Sequence, residues 1–173
     1  MQNLSKQGLS RRALLRGTIA AGSLAVVGAG FIAAPNAAWA LEVTAITEQE
    51  MATLLQMARD IYPHDNIGDR FYVTAIKGYD TAEQKQTVTE GIAALDAAAK
   101  AAGFDSYLSA GWESERVAIL RSIEDTPFFQ TVRGGLVTGL YNQKEIWPIF
   151  GYEGESYSKG GYIDRGFDDI DWL

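Results

Sequence analysis

The chain has 173 residues, a formal net charge of −7 and no cysteine. Without thiols it forms no disulfide, no thiolate metal site, no iron–sulfur ligation and no covalent haem attachment. Four of its fifteen bases (Lys6, Arg11, Arg12 and Arg16) and none of its twenty-two acids fall in the first forty residues, so the remainder carries a net charge of −11. Such a surface repels nucleic acid and anionic lipid, and it attracts a basic protein partner.

The first forty residues read as a twin-arginine export signal. Ser10-Arg11-Arg12-Ala13-Leu14-Leu15-Arg16 pairs two guanidinium groups ahead of hydrophobic residues and a further base. A translocase receptor can read that fixed donor array. Gly17 to Ala34 is apolar, and Ala38-Trp39-Ala40 is a small-x-small cleavage site. An uncleaved membrane anchor is the competing reading; eighteen glycine-containing residues lie near the lower limit for spanning. Export through the twin-arginine translocase carries folded proteins, so the expected destination is the periplasm. Cleavage after Ala40 leaves 133 of the 173 residues, enough for one domain with its own core.

Thr47 and Glu50 form the pattern of a capping box, followed by Met51, Leu54, Leu55, Ala58, Ile61 and Tyr62 at helical spacing. Pro63 stops that helix, and 64–69 is a loop. A second helix is expected over Arg70 to Tyr79. Thr81 caps a third, with Val88, Ile92, Leu95 and Ala99 inward and Gly103 closing it. Phe104, Tyr107 and Leu108 make an apolar turn. A fourth helix spans Glu113 to Glu124 with Val117, Leu120 and Ile123 inward. Thr126-Pro127 starts a fifth, which runs through Val132, Leu136 and Leu140 to about Asn142. No stretch alternates as a strand does. The fold class is all-α: a bundle of about five helices over 41–150, self-sufficient in its apolar residues between 47 and 142.

Residues 151–173 differ. Tyr152, Tyr157, Tyr162, Phe167 and Trp172 recur every five residues among five glycines. That spacing fits neither a helix nor a strand. The segment reads either as a strap over this domain's own core or as an arm laid on a partner. In the second reading Tyr152, Tyr157, Tyr162, Arg165, Phe167, Asp168, Asp169 and Trp172 bind the partner, because aromatic and arginine side chains anchor interfaces.

Three other features could carry chemistry. His64, with Asp65 and Asp69 nearby, could act as a general base or a metal ligand. A single imidazole makes no metal cluster, so it reads as a helix-end residue with local hydrogen bonds. Asp164, Asp168, Asp169 and Asp171 could hold calcium, but their spacing is not that of an EF-hand; a solvated strip or a docking strip for a basic partner fits better. Gly134, Gly135 and Gly139 lack a phosphate-loop pattern and point to close packing of another helix or of a partner.

Several short motifs together resemble the gluconate 2-dehydrogenase subunit 3 family. They are the twin-arginine leader, Tyr-Pro-His-Asp at 62–65, Thr-Pro-Phe-Phe at 126–129, Gly-Leu-Tyr-Asn at 139–142, Trp147, Phe-Gly-Tyr-Glu-Gly at 150–154 and the Gly-Gly-Tyr-Ile-Asp-Arg-Gly-Phe-Asp-Asp-Ile-Asp-Trp-Leu ending at 160–173. The resemblance implies a non-catalytic small subunit with no cofactor of its own. Its partner would be an FAD-dependent catalytic subunit of the glucose–methanol–choline type, exported together with it, and a multihaem cytochrome c often completes such complexes. It supplies no catalytic residue for this chain. The competing readings are an independent periplasmic enzyme built on His64 and nearby acids, and a stand-alone binding or scaffold domain.

Overall fold

The computed structural model describes residues 43–164. The leader positions Arg11, Arg12, Ala38 and Ala40, and Arg165, Phe167, Asp168, Asp169, Asp171 and Trp172 of the ending, lie outside the described residues. Among the described residues there are five α-helices and no strand.

Helix α1 spans Glu48–Ile61. The Thr47 hydroxyl accepts from the Glu50 N–H, and the Glu50 carboxylate accepts from the Thr47 N–H at 2.7 Å. The helix ends ahead of Pro63 and buries Met51, Leu54, Leu55, Met57 and Ala58. Helix α2, Asp69–Ile76, is shorter than its apolar pattern predicts, because the chain tightens into a 3₁₀ turn at Lys77–Tyr79. Helix α3, Ala82–Ala101, is capped by Thr81 and buries Val88, Ile92, Leu95 and Ala99, as their spacing predicts. Gly103 follows with a positive φ of 94°, which a side chain would strain. After a 3₁₀ turn at Tyr107–Ser109, α4 runs over Glu113–Ser122. It buries Ile119 and Leu120 and leaves Val117 only half-buried, which corrects the expected inward set. Helix α5, Pro127–Tyr141, starts at the Thr126 cap and buries Phe128, Val132, Leu136 and Leu140. A 3₁₀ segment, Lys144–Phe150, completes the body.

One core joins all five helices, and it reaches beyond 47–142. Ile46 is 5% exposed and Ile146 fully buried, so both flanking segments belong to the packed unit. The expected self-sufficiency of 47–142 is therefore corrected. Two buried carboxylates fasten the body. Asp60 of α1 accepts from the Arg116 guanidinium at 2.7 and 3.1 Å, from the Tyr107 hydroxyl at 2.6 Å and from the Gln56 amide at 3.1 Å. Such a pair is tolerated in a core only when hydrogen bonds surround it, and here they do. Asp80 accepts from three successive backbone N–H groups, those of Thr44, Ala45 and Ile46, at 2.7–3.1 Å. It ties the segment before α1 to the corner between α2 and α3. Burial pushes the Asp80 carboxyl up, but the N–H donors of Ala45, Ile46 and Thr44 outweigh that and hold it far below the usual carboxylate range.

The glycines of α5 explain how the bundle closes. A Cβ on Gly139 would stand 2.9 Å from the Ala75 carbonyl oxygen and 3.1 Å from its Cα. A Cβ on Gly135 would stand 2.3 Å from the Tyr79 hydroxyl, which donates to the Thr131 carbonyl at 2.9 Å. These two glycines thus let α2 and its 3₁₀ extension lie directly against α5. Gly134 meets nothing within 4 Å. Urea unfolding should separate the two kinds of glycine. Gly139→Ala is expected to lose about 1–3 kcal/mol by overpacking against backbone. Gly134→Ala is expected to gain about 0.5–1 kcal/mol from helix propensity alone.

Candidate functional site

The end of α5 gathers residues from three distant stretches of the sequence. Tyr141, in its last turn, lies between Tyr62, at the end of α1, and Phe150, at the end of the last 3₁₀ segment. The ring centroids are 5.7 and 5.9 Å from that of Tyr141. His64, just past the Pro63 that stops α1, places its ring edge-on to Tyr141 at 5.7 Å and to Phe150 at 5.0 Å. Its Nε2 lies 2.7 Å from the Tyr141 hydroxyl. The Trp147 indole N–H donates to the Tyr141 carbonyl at 2.7 Å, and the Trp147 ring meets Tyr152 at 5.2 Å. The close approach of α5 to α2 at Gly139, two residues earlier, brings Tyr141 to this position.

His64 therefore bonds across the bundle rather than locally at its own helix end, which corrects that expectation. Asp65 is exposed, and Asp69 pairs with Arg59 at 2.6 Å. Among the described residues, no three imidazoles or carboxylates converge as a metal site would require. Burial, and then the positive charge of Arg59, hold the His64 imidazole below its usual pKa. Burial also raises the Tyr141 phenol. The phenol and the imidazole share one hydrogen bond, whose direction follows the imidazole tautomer.

Beyond this cluster the chain turns outward. Gly151 takes a positive φ of 73° and releases the arm. A groove of about 350 Å³ between the arm and the body is lined by Lys144, Trp147, Pro148, Gly151, Tyr152 and Glu153. None of residues 151–164 is buried. Tyr152 leans on Trp147 and is half-exposed, while Tyr157 is 92% exposed, Tyr162 66% and Ile163 82%. The arm is held by polar contacts: Lys159 donates to the Glu153 carbonyl, and Lys144 lies 3.6 Å from Glu155. A short 3₁₀ turn at Tyr157–Lys159 is the arm's regular piece, which its five-residue spacing did not indicate. Asp164 is exposed at the edge of the described residues. Ile149 and Phe150, at 43% and 47% exposure, extend the apolar surface onto the body.

The sequence offers Tyr152, Tyr157 and Tyr162 either to this domain's own core or to a partner, and no spacing in it joins His64 to Tyr141 and Phe150. The motifs at 62–65, 139–142 and 150–154 contained the signal, because all three meet in this one cluster. No helix of the described residues is long and apolar enough to cross a membrane.

The depressed His64 pKa has a definite sign for stability. The unfolded chain takes up a proton near pH 6.5, while the folded chain resists it until lower pH. Stability from this source is complete above the unfolded value and is lost as pH falls below it. Urea midpoints measured from pH 7 down to pH 5 should fall, and the fall should be smaller in His64→Gln.

Comparison of the chain with protein-family models, curated proteins and solved structures finds no match.

Proposed function

We propose that this chain is a non-catalytic small subunit that escorts and stabilises an FAD-dependent dehydrogenase of the glucose–methanol–choline type in the periplasm. The observation that carries this reading is the arm. A well-packed body extends a segment whose large rings stay in solvent, with Tyr157 and Ile163 more than four-fifths exposed. An exposed apolar surface of that kind marks an interaction site, and tyrosines with an apolar body and a polar tip suit one. The resemblance of the motifs to the gluconate 2-dehydrogenase subunit 3 family supplies the identity of the partner.

Two further features support the reading. The twin-arginine leader exports folded proteins, and this chain has no thiol with which to hold a cluster or covalent haem. Export in the folded state then serves the cofactor of a partner that crosses with it. The net charge of −11 beyond the leader suits a basic docking face, and a multihaem cytochrome c could form a further part of the complex. The substrate of the complex is a sugar, sugar acid or other alcohol.

Deletion of Gly160 to Leu173 tests the arm. The deletion removes Tyr162 and Ile163 and none of the buried core among the described residues. Circular dichroism should show the helices unchanged, and capture of the flavoprotein by the tagged chain should fall at least about tenfold, since burying one aromatic ring contributes about 1.5–3 kcal/mol. Unfolding of the truncated chain would mean that the arm straps its own domain. Full capture by a folded truncated chain would mean that 160–173 has neither role.

A further inference from the structure

Four phenol groups among the described residues have a defined hydrogen-bond partner, and those partners are of three kinds. Tyr72 donates to the Tyr62 carbonyl at 2.6 Å and Tyr79 to the Thr131 carbonyl at 2.9 Å. An amide carbonyl takes no proton at ordinary pH. Tyr107 donates to Asp60 at 2.6 Å, but that carboxylate is already held by Arg116 through two nitrogens. Tyr141 alone of the four faces an imidazole, at 2.7 Å. Imidazole is the side-chain base whose ordinary pKa lies nearest neutrality.

We propose that the Tyr141–His64 pair is a proton-coupled one-electron redox site, whose reaction partner is an outer-sphere one-electron acceptor such as a high-potential metal centre. In the forward step the electron leaves the Tyr141 ring for the acceptor, which is reduced by one electron. In the tautomer that carries its proton on Nδ1, the phenolic O–H bond breaks and an N–H bond forms at the unprotonated Nε2 of His64. The products are a neutral phenoxyl radical and an imidazolium ion. Return of an electron from a one-electron donor reverses both transfers. The short hydrogen bond matters because it lets the proton move without passing through a charged phenol cation.

The surroundings fit this chemistry. Phe150, which is hard to oxidise, packs on both members of the pair at 5.0 and 5.9 Å. Oxidisable rings connect the pair to the surface. Tyr62 stands 5.7 Å from Tyr141, and the Trp147 N–H bonds the Tyr141 carbonyl while its ring reaches Tyr152, half-exposed, at 5.2 Å. The proposal does not depend on the identity of any partner protein.

The test uses the full-length chain and photogenerated ruthenium(III) tris-bipyridine as the oxidant, with freeze-quenching and electron paramagnetic resonance. A tyrosyl signal is expected. It should persist when Tyr152, Tyr157 and Tyr162 are all changed to Phe, and vanish when Tyr141→Phe is added to that background. In the same background it should also vanish in His64→Ala and return when imidazole is added to that variant, which a merely structural role for His64 would not produce. A signal that survives Tyr141→Phe in that background overturns the proposal. So does one that survives His64→Ala, or one lost there that imidazole fails to restore. Should Tyr141→Phe fail to fold, the His64→Ala comparison with and without imidazole decides alone.

Discussion

Helix α5 can lie against α2 only because two of its side chains are missing. At Gly139 the Ala75 carbonyl oxygen occupies the space where a Cβ would be, and at Gly135 the Tyr79 hydroxyl does the same. Glycine inside a helix costs about 0.5–1 kcal/mol relative to alanine. The contact it permits sets the register of the last third of the molecule. Val132, Leu136 and Leu140 reach the core, Tyr141 reaches Tyr62 and His64, and the chain leaves α5 aimed so that Ile146 is buried. The aromatic cluster and the root of the arm both follow from that seam.

Two buried carboxylates hold the remaining elements to the seam. Asp60 joins α1 to α4 and to the Tyr107 turn, and Asp80 joins the segment before α1 to the α2–α3 corner. Each has its oxygens taken up by donors of the fold: a guanidinium, a hydroxyl and an amide for Asp60, and three backbone N–H groups for Asp80. Their geometry is that of fastenings.

Much of the fold was legible in the sequence because its signals are local. The Thr47–Glu50 box, the Thr81 and Thr126 caps, Pro63 and Pro127, and the Val88–Ile92–Leu95–Ala99 stripe each act within a turn or two, and each is present. The weaker readings have physical causes. Helix α4 has little amphipathic contrast, so Val117 was placed inward where Ile119 belongs. Ile46 and Ile146 sit outside the five α-helices and join the core through tertiary packing. His64 and Tyr141 are 77 residues apart, and no spacing rule joins them. The small-residue pattern of α5 pointed correctly to close packing at Gly135 and Gly139, although Gly134 faces open space.

In the body Tyr72 and Tyr107 are fully buried while Trp112 is 73% exposed, and the arm leaves Tyr157, Tyr162 and Ile163 in water. The account assigns that exposed surface to a flavin-bearing partner exported with this chain. The most direct measurement is the absorption spectrum of whatever is purified from the periplasm of the native host through an affinity tag on the full-length chain. The account predicts a second, larger polypeptide together with the near-ultraviolet and blue absorption bands of oxidised flavin, bleached by the alcohol or sugar substrate. A monomeric, colourless chain recovered alone from the periplasm would contradict it.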